Sequence, residues 1–144
     1  METTGLLKKT QLCVTIEGAE FAKDFQYFMT VQLEGEAEKR RTDVSEKVRN
    51  PIWSANIFYL PIPGGALTPN TRLLFAVFVV TDREVGKGKG QARLLGECML
   101  DVGPLGAALN DIHGAGVRQH LKFTRTQEGS SVTVGRFLVS LKIT

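Results

Sequence analysis

Apolar and polar residues alternate along most of the chain, which is the pattern of β-strands that bury one face. Turn residues, chiefly glycine, proline and asparagine, separate the alternating segments. The pattern predicts eight strands, at Gln11–Glu17, Tyr27–Leu33, Glu38–Val48, Asn50–Ile62, Arg72–Val80, Leu94–Val102, Val117–Arg125 and Val132–Ile143. With a single short helical candidate, Leu105–Ile112, this set predicts an all-β fold, an eight-stranded antiparallel β-sandwich.

Two of the predicted strands depart from simple alternation, in opposite directions. Arg72–Val80 is apolar at almost every position, which indicates a central strand buried on both faces. Glu38–Val48 is mostly polar and charged, which is typical of an exposed edge strand. In the last strand, the residues expected to face the core are Phe137, Val139, Leu141 and Ile143.

The single tryptophan, Trp53, lies just after an Asn-Pro turn at the start of the fourth predicted strand. Alternation counted from Trp53 places Ile57 and Tyr59 on the same face of that strand. We expect the Trp53 ring to plug one end of the sandwich, with its N–H paired to a hydrogen-bond acceptor.

Composition fits one globular domain: the chain has 144 residues, of which 42% are hydrophobic and 23% charged. We place this domain at residues 10–144, after an N-terminal extension of residues 1–9. The apolar runs are too short for a secretory signal or a membrane-spanning helix, so we expect a cytoplasmic protein, with peripheral attachment to a membrane or the cytoskeleton left open. Cys13 and Cys98 lie within strand patterns and are expected to be buried free thiols.

The sequence carries no motif that indicates an enzyme. It lacks a G-x-S-x-G nucleophile elbow, a P-loop, a dinucleotide-binding fingerprint and zinc-type cysteine and histidine spacing. His113 and His120 have no sequence relation to either cysteine that would indicate a catalytic dyad. Most phenylalanines occupy strand positions instead of standing exposed beside basic residues, so nucleic-acid binding is not expected either. We therefore expect neither catalysis nor a cofactor.

Five segments, taken in order along the chain, resemble motifs of the C2 domain family. Asn50–Trp53 is similar to the NPxW motif that opens the family's fourth strand, and Leu73–Val77 is similar to its L-x-F-x-V strand. Leu95-Gly96 resembles the I-G turn of its sixth strand. Glu17–Phe21 and Gly135–Leu141 resemble its first loop and last strand. The resemblance covers nearly the whole chain and implies the C2-type Greek-key sandwich.

The resemblance also implies where calcium would bind, because C2 domains hold calcium with aspartates on their first and third loops. The corresponding positions in this sequence are Gln26, Val79, Thr81, Ala92 and Arg93. None of them is acidic, and calcium takes six to eight oxygen ligands, so we expect no metal site. One alternative stays open, which is a single weakly held calcium ion near Asp24, Asp82 and Glu84.

Basic residues form two patches that could meet an acidic partner, in keeping with a net charge of +3. One patch lies on the third predicted strand. The other lies on the glycine-rich third loop, Thr81–Arg93, which we expect to be mobile and to project from the end of the sandwich. The residues expected to bind a membrane or a partner are Lys39, Arg40, Arg41, Lys47, Arg83, Lys87, Lys89 and Arg93.

Two functional hypotheses follow. The missing calcium ligands predict a calcium-independent C2 module for protein–protein interaction or scaffolding within a larger protein, whose protein partner is unknown. The basic patches predict the alternative, which is peripheral binding to anionic phospholipid membranes.

Overall fold

The computed structural model describes residues 11–81, 91–109 and 116–144. Within these segments every strand pairing is antiparallel and the fold is all-β, which confirms the predicted class. The strands of the described segments are β1 (Gln11–Phe21), β2 (Gln26–Leu33), β3 (Arg40–Arg41), β4 (Ile57–Pro61), β5 (Arg72–Thr81), β6 (Gln91–Asp101), β7 (Val117–Gln127) and β8 (Ser130–Ile143). Residues 1–9, assigned to an N-terminal extension, lie outside the described segments.

The strands follow one another in the order β3-β2-β5-β6-β7-β8-β1-β4. Between β6 and β7 the pairing in the described chain is limited to Glu97 with Thr124, so the sheet divides there into two four-stranded halves. The halves stack face to face. The ring of Phe75 on β5 lies 5.0 Å from that of Phe137 on β8. The core therefore sits between the two halves, as expected for a β-sandwich.

Alternation correctly identifies the core face of β8, where Phe137, Val139, Leu141 and Ile143 are all buried. It fails for β5, for which we expected burial on both faces. Only every second residue of β5 is fully buried, because no layer covers its other side.

The uncovered side, the outer face of β2, β5 and β6, carries an aromatic stack. The rings of Phe28 and Phe78 lie 4.9 Å apart, and the guanidinium of Arg41 stands 3.9 Å from the Phe28 ring centroid. Leu94 and Met99 are also on this face, with 46% and 55% of their surface exposed. These residues explain the apolar character of β5 on its solvent side.

The prediction of an edge strand over Glu38–Val48 is wrong for most of that segment, because regular strand pairing there is limited to the two residues of β3. Farther along, two buried hydroxyl groups replace the strand ladder. Thr42 Oγ1 accepts the backbone N–H of Met29, and Ser45 Oγ accepts that of Tyr27, each at 3.0 Å. Side-chain bonding of this kind competes with regular pairing and allows the backbone to turn away.

The same connection then crosses from β2 to β1 and closes the side of the sandwich opposite the β6–β7 seam. The carbonyl of Arg49 accepts the N–H of Phe21 at 2.7 Å. Asn56 bonds with Ile16 twice, accepting its N–H and donating its side-chain amide to its carbonyl, both at 2.9 Å. This hydrogen-bonded segment thereby joins β3 to β4, which are the first and last strands in the order of the sheet.

The fourth predicted strand begins later than expected, at Ile57, and its face assignment was wrong. Trp53 is buried, whereas Ile57 and Tyr59 are about half exposed and Phe58 takes the core side. The alternation does not continue from Trp53 into β4, because the segment before β4 bends to form hydrogen bonds with β1. Trp53 itself behaves as expected: its indole N–H donates to the carbonyl of Tyr27 on β2 at 2.9 Å.

Smaller differences concern the remaining boundaries. β6 begins at Gln91, so Gln91–Arg93 belong to a strand and not to the third loop; residues 82–90 lie outside the described segments. Of the helical candidate, the described part contains α1 (Gly106–Leu109). None of the helices in the described segments has the length and apolar character needed to span a bilayer. Cys13 is buried, Cys98 is partly buried and both thiols are free.

A solvent-accessible ion pair, between Glu17 and Arg118, marks the outer face of the other half. Glu17 occupies the β1 bulge between Ile16 and Gly18, where the register with β8 shifts. Its carboxylate accepts a hydrogen bond from the Ser140 hydroxyl and two from the Arg118 guanidinium, at 2.9 and 3.2 Å. The Ser140 bond, followed by Arg118, holds the pKa of Glu17 below its ordinary value.

Removing the indole N–H should weaken the fold. Trp53→Phe keeps an aromatic ring but deletes the buried bond to Tyr27 and leaves a cavity where the rest of the indole packed, so we expect it to lower the free energy of unfolding by about 2–3 kcal/mol. Urea denaturation measures the change. Tyr59→Phe is the matched control, because its ring is half exposed, and it should shift stability by less than about 0.5 kcal/mol. Equal stability of the two variants would contradict a structural role for the buried indole.

The Glu17 interaction predicts a pH dependence. A carboxyl whose pKa is lower in the folded state contributes stability above its unfolded pKa, and that contribution is lost as pH falls through the folded pKa. Between pH 7 and strongly acidic conditions, the wild type should therefore lose more stability than Glu17→Gln. At pH 7 the substitution should cost less than about 1 kcal/mol, since the pair is solvent-accessible. Urea titrations at each pH measure the change, and Glu36→Gln, which alters an exposed turn residue, serves as control. Identical pH profiles for Glu17→Gln and the wild type would refute this contribution of Glu17 to stability.

Candidate functional site

The candidate site lies at the end of the sandwich where β2 begins, β5 ends and β6 begins. Strand register places Tyr27, Val79 and Arg93 side by side across these three strands. Residues in one such row point to the same side of a sheet. Tyr27 and Val79 are buried, so Arg93 also projects toward the core side, at the open rim.

A pocket of about 230 Å³ lies at this rim. Its lining includes four of the five positions that the C2 resemblance equates with calcium ligands, namely Gln26, Val79, Thr81 and Arg93. The fifth lining residue of interest is Lys47, from the connection after β3. Lys47 and Arg93, which sequence reasoning assigned to two separate basic patches, thus line one pocket.

The residues of this pocket do not fit calcium. The Gln26 side-chain amide donates to the Ser45 carbonyl at 3.3 Å, and the Thr81 hydroxyl donates to the Gln91 carbonyl at 2.9 Å. None of the described lining residues is acidic, and two are cations, whereas calcium selects several carboxylate oxygens. Across the described segments, no three histidine, cysteine, aspartate or glutamate side chains are placed to hold a metal ion.

The open alternative of one calcium ion near Asp24 gains no support from its surroundings. The Asp24 carboxylate pairs with Arg49 at 3.5 Å. Asp82 and Glu84, the other residues of that alternative, lie outside the described segments.

A larger pocket, of about 400 Å³, shares Phe25 and Arg93 with the smaller one. Lys23 and Arg125 bring two further cations to it, and again none of the described lining residues is acidic. Its remaining wall is mainly apolar, with Phe21, Leu95 and Val134 among its residues. We call the two pockets together the loop-end cleft.

Tyr27 fixes the loop between β1 and β2, which carries Lys23 and borders this cleft. Its hydroxyl donates to the Lys23 carbonyl at 2.5 Å, and its ring stacks on Phe21 with centroids 4.2 Å apart. Burial, reinforced by the Asp24 carboxylate, raises the pKa of Tyr27 to about 12, which keeps the hydroxyl a hydrogen-bond donor even in alkaline solution. The backbone that carries Lys23 is therefore fixed from the core side.

Acidic partners are missing around the cations of the loop-end cleft. Within the described segments, none of Lys23, Lys47, Arg93 and Arg125 forms an ion pair. By contrast, five arginines elsewhere in the described segments pair with a carboxylate, namely Arg40, Arg49, Arg72, Arg118 and Arg136. Four cations without an acidic partner in the described segments therefore meet at this end of the sandwich.

The other predicted binding residues are distributed differently. Arg40 pairs with Glu38 at 3.2 Å, and Arg41 packs on Phe28. The residues of β2 that pair with Arg40 and Arg41 lie four to five residues from Gln26, which lines the smaller pocket. At 3.3 Å per residue this is about 13–16 Å along the strand. Lys39, just before β3, is exposed. Arg83, Lys87 and Lys89 lie outside the described segments.

Sequence reasoning did not select Arg125 as a binding residue, although a signal was present. Arg125 follows Phe123 at the same phase of the β7 alternation, and Phe123 is fully buried. A charged residue at a core-facing phase near a strand end has to emerge at the rim, because burial of an unpaired charge is costly.

Comparisons with known proteins give structural likeness only. No family model matches the sequence, and no curated protein matches it. Among solved structures, a C2 domain-containing protein assigned to an elicitor-responsive gene superposes with a TM-score of 0.63 at 14% identity, over 95% of this chain and 90% of that one.

A second likeness is to a much longer protein. Human GIVD cytosolic phospholipase A2, solved with the inhibitor methyl gamma-linolenyl fluorophosphonate and terbium chloride, superposes with a TM-score of 0.53 at 14% identity. The match covers 94% of this chain but 17% of the phospholipase. The two superpositions, and not the sequence identities, show that the chain has the C2 fold.

Proposed function

Because this chain has the C2 fold, we propose that it is a calcium-independent binding module whose loop-end cleft docks on anionic phospholipid membranes. The observation that carries the proposal is the set of four cations in the cleft, Lys23, Lys47, Arg93 and Arg125, with no acidic residue among the described lining. The proposal is one of binding and not of catalysis.

Electrostatics accounts for membrane attachment without a metal. In a calcium-dependent site, the ion neutralises the protein's carboxylates and presents positive charge to the lipid. Here the side chains supply that charge directly, and each basic residue near an anionic surface contributes about 1 kcal/mol. Exposed charges are screened by salt, so attachment should weaken as ionic strength rises.

Vesicle sedimentation tests the proposal. The protein should bind vesicles of phosphatidylcholine with phosphatidylserine, equally well in calcium and in chelator, and should not bind phosphatidylcholine alone. Arg93→Glu should lower the affinity by about fivefold or more, which corresponds to the loss of at least 1 kcal/mol. Calcium-dependent binding would contradict the proposal.

The matched control is Lys142→Glu, which changes the net charge equally. Lys142 pairs with Cys13, eight residues along β1 from Phe21 of the cleft, or about 26 Å at 3.3 Å per residue. This variant should bind vesicles almost as well as the wild type. Equal losses for Arg93→Glu and Lys142→Glu would mean that net charge, and not the cleft, attracts the protein.

Protein–protein interaction is the second candidate, and the outer face of β2, β5 and β6 is the observation that favours it. Leu94 and Met99 are exposed there beside the Phe28–Phe78 stack, and Arg41 adds a positive charge. Such a surface suits a protein segment with apolar side chains and one acidic group.

Site-specific photo-crosslinking tests this second candidate. A crosslinker at Met99 should yield a discrete protein adduct that disappears in a Leu94→Asp background. A crosslinker at Ile57 is the control, because Ile57 is 52% exposed, close to the 55% of Met99, but belongs to β4 in the other half. The same adducts from both positions would indicate non-specific contact and would count against this face.

A further inference from the structure

The smaller pocket of the loop-end cleft has the chemistry of an anion site, at the positions where the resemblance places calcium ligands. Two cations, Lys47 and Arg93, line it together with the Gln26 amide and the Thr81 hydroxyl. We propose that this pocket binds a phosphomonoester group, held between Lys47 and Arg93. This proposal rests on the proposed membrane function in one respect, which is that it names the headgroup that the cleft would select.

Both cations stand on backbone that is hydrogen-bonded to a neighbouring strand. Arg93 belongs to β6 and is in register with buried Val79 of β5. Lys47 is bracketed by two backbone bonds to the start of β2, from the Ser45 N–H to the Tyr27 carbonyl at 2.8 Å and from the Val48 N–H to the Phe25 carbonyl at 3.2 Å. A site anchored in this way loses little backbone entropy when it binds a ligand.

The charge and shape of the site favour a phosphomonoester over a singly charged headgroup. A phosphomonoester carries about −1.5 to −2 charge at pH 7 and has three strong acceptor oxygens. Two cations balance that charge, and the planar arginine fork can donate two parallel hydrogen bonds to two of the oxygens. The volume of about 230 Å³ is several times the ~30 Å³ that one water occupies in the liquid.

The rest of the cleft indicates how such a group would be presented. Lys23 and Arg125, in the adjoining larger pocket, offer positive charge to neighbouring acidic groups of a surface. A phosphomonoester can come from a lipid headgroup, such as phosphatidic acid, or from a small soluble molecule. The chemistry of the pocket is the same in both cases, and the two sources are separated by experiment.

The first arm compares vesicles that contain phosphatidic acid with vesicles that contain phosphatidylserine, adjusted to equal surface potential. The wild type should prefer phosphatidic acid by about tenfold, the equivalent of one additional charge-assisted hydrogen bond. Arg93→Lys keeps the charge but removes the planar fork, so it should lose this preference and retain phosphatidylserine binding. Equal binding of both vesicles by the wild type would refute a lipid source of the phosphomonoester, and an unchanged preference in Arg93→Lys would overturn the role of Arg93 in the pocket.

The second arm uses a soluble probe, glycerol 3-phosphate, monitored by proton–nitrogen correlation NMR. Saturable shifts should appear at Gln26, Lys47 and Arg93, should be absent in Lys47→Gln and should persist in the control Lys142→Gln. Saturable shifts without any vesicle binding would support the phosphate pocket and refute membrane docking. Vesicle binding without the headgroup preference and without saturable shifts would support docking and refute the phosphate pocket.

Discussion

The hydrogen bond from the Trp53 indole to the Tyr27 carbonyl connects the segment before β4 to β2, at the residue around which the loop end is assembled. Tyr27 in turn bonds Ser45 through its backbone and Lys23 through its hydroxyl, while its ring stacks on Phe21. The segments that carry Lys23 and Lys47 are thus attached to one buried residue. A polar group so enclosed has to be paired, which fixes the geometry around it.

The sequence predicts this fold well wherever each strand keeps one buried face. β8 follows its predicted alternation throughout the buried part, because every core position faces the other half of the sandwich. The segment from β3 to β4 is different, since Thr42 and Ser45 take over backbone bonds with their hydroxyl groups. The alternation of apolar and polar residues does not show that side-chain hydroxyls replace strand pairing. Nor does it show the bend that puts Trp53 out of phase with Ile57 and Tyr59.

The candidate site was predictable in part. The C2 resemblance selected Gln26, Val79, Thr81 and Arg93, and these four line one pocket. It could not bring Lys47 to Arg93, because their proximity depends on the bridge between Phe25 and Val48 and on the β5–β6 register. Contacts between residues so distant in sequence arise from tertiary pairing, which local patterns do not encode.

The position of β1 has a consequence for how the chain acquires its fold during synthesis. β1 lies between β4 and β8, and Leu12 is paired with Leu60 on one side and with Ile143, 131 residues later, on the other. At about 5–20 residues per second, a ribosome needs on the order of ten seconds to make that interval. Until then the apolar side chains of β1 lack half of their cover, and pairing over so long a separation is entropically slow. We therefore expect β1 to be the strand whose unpaired edge is most exposed to association with other nascent chains.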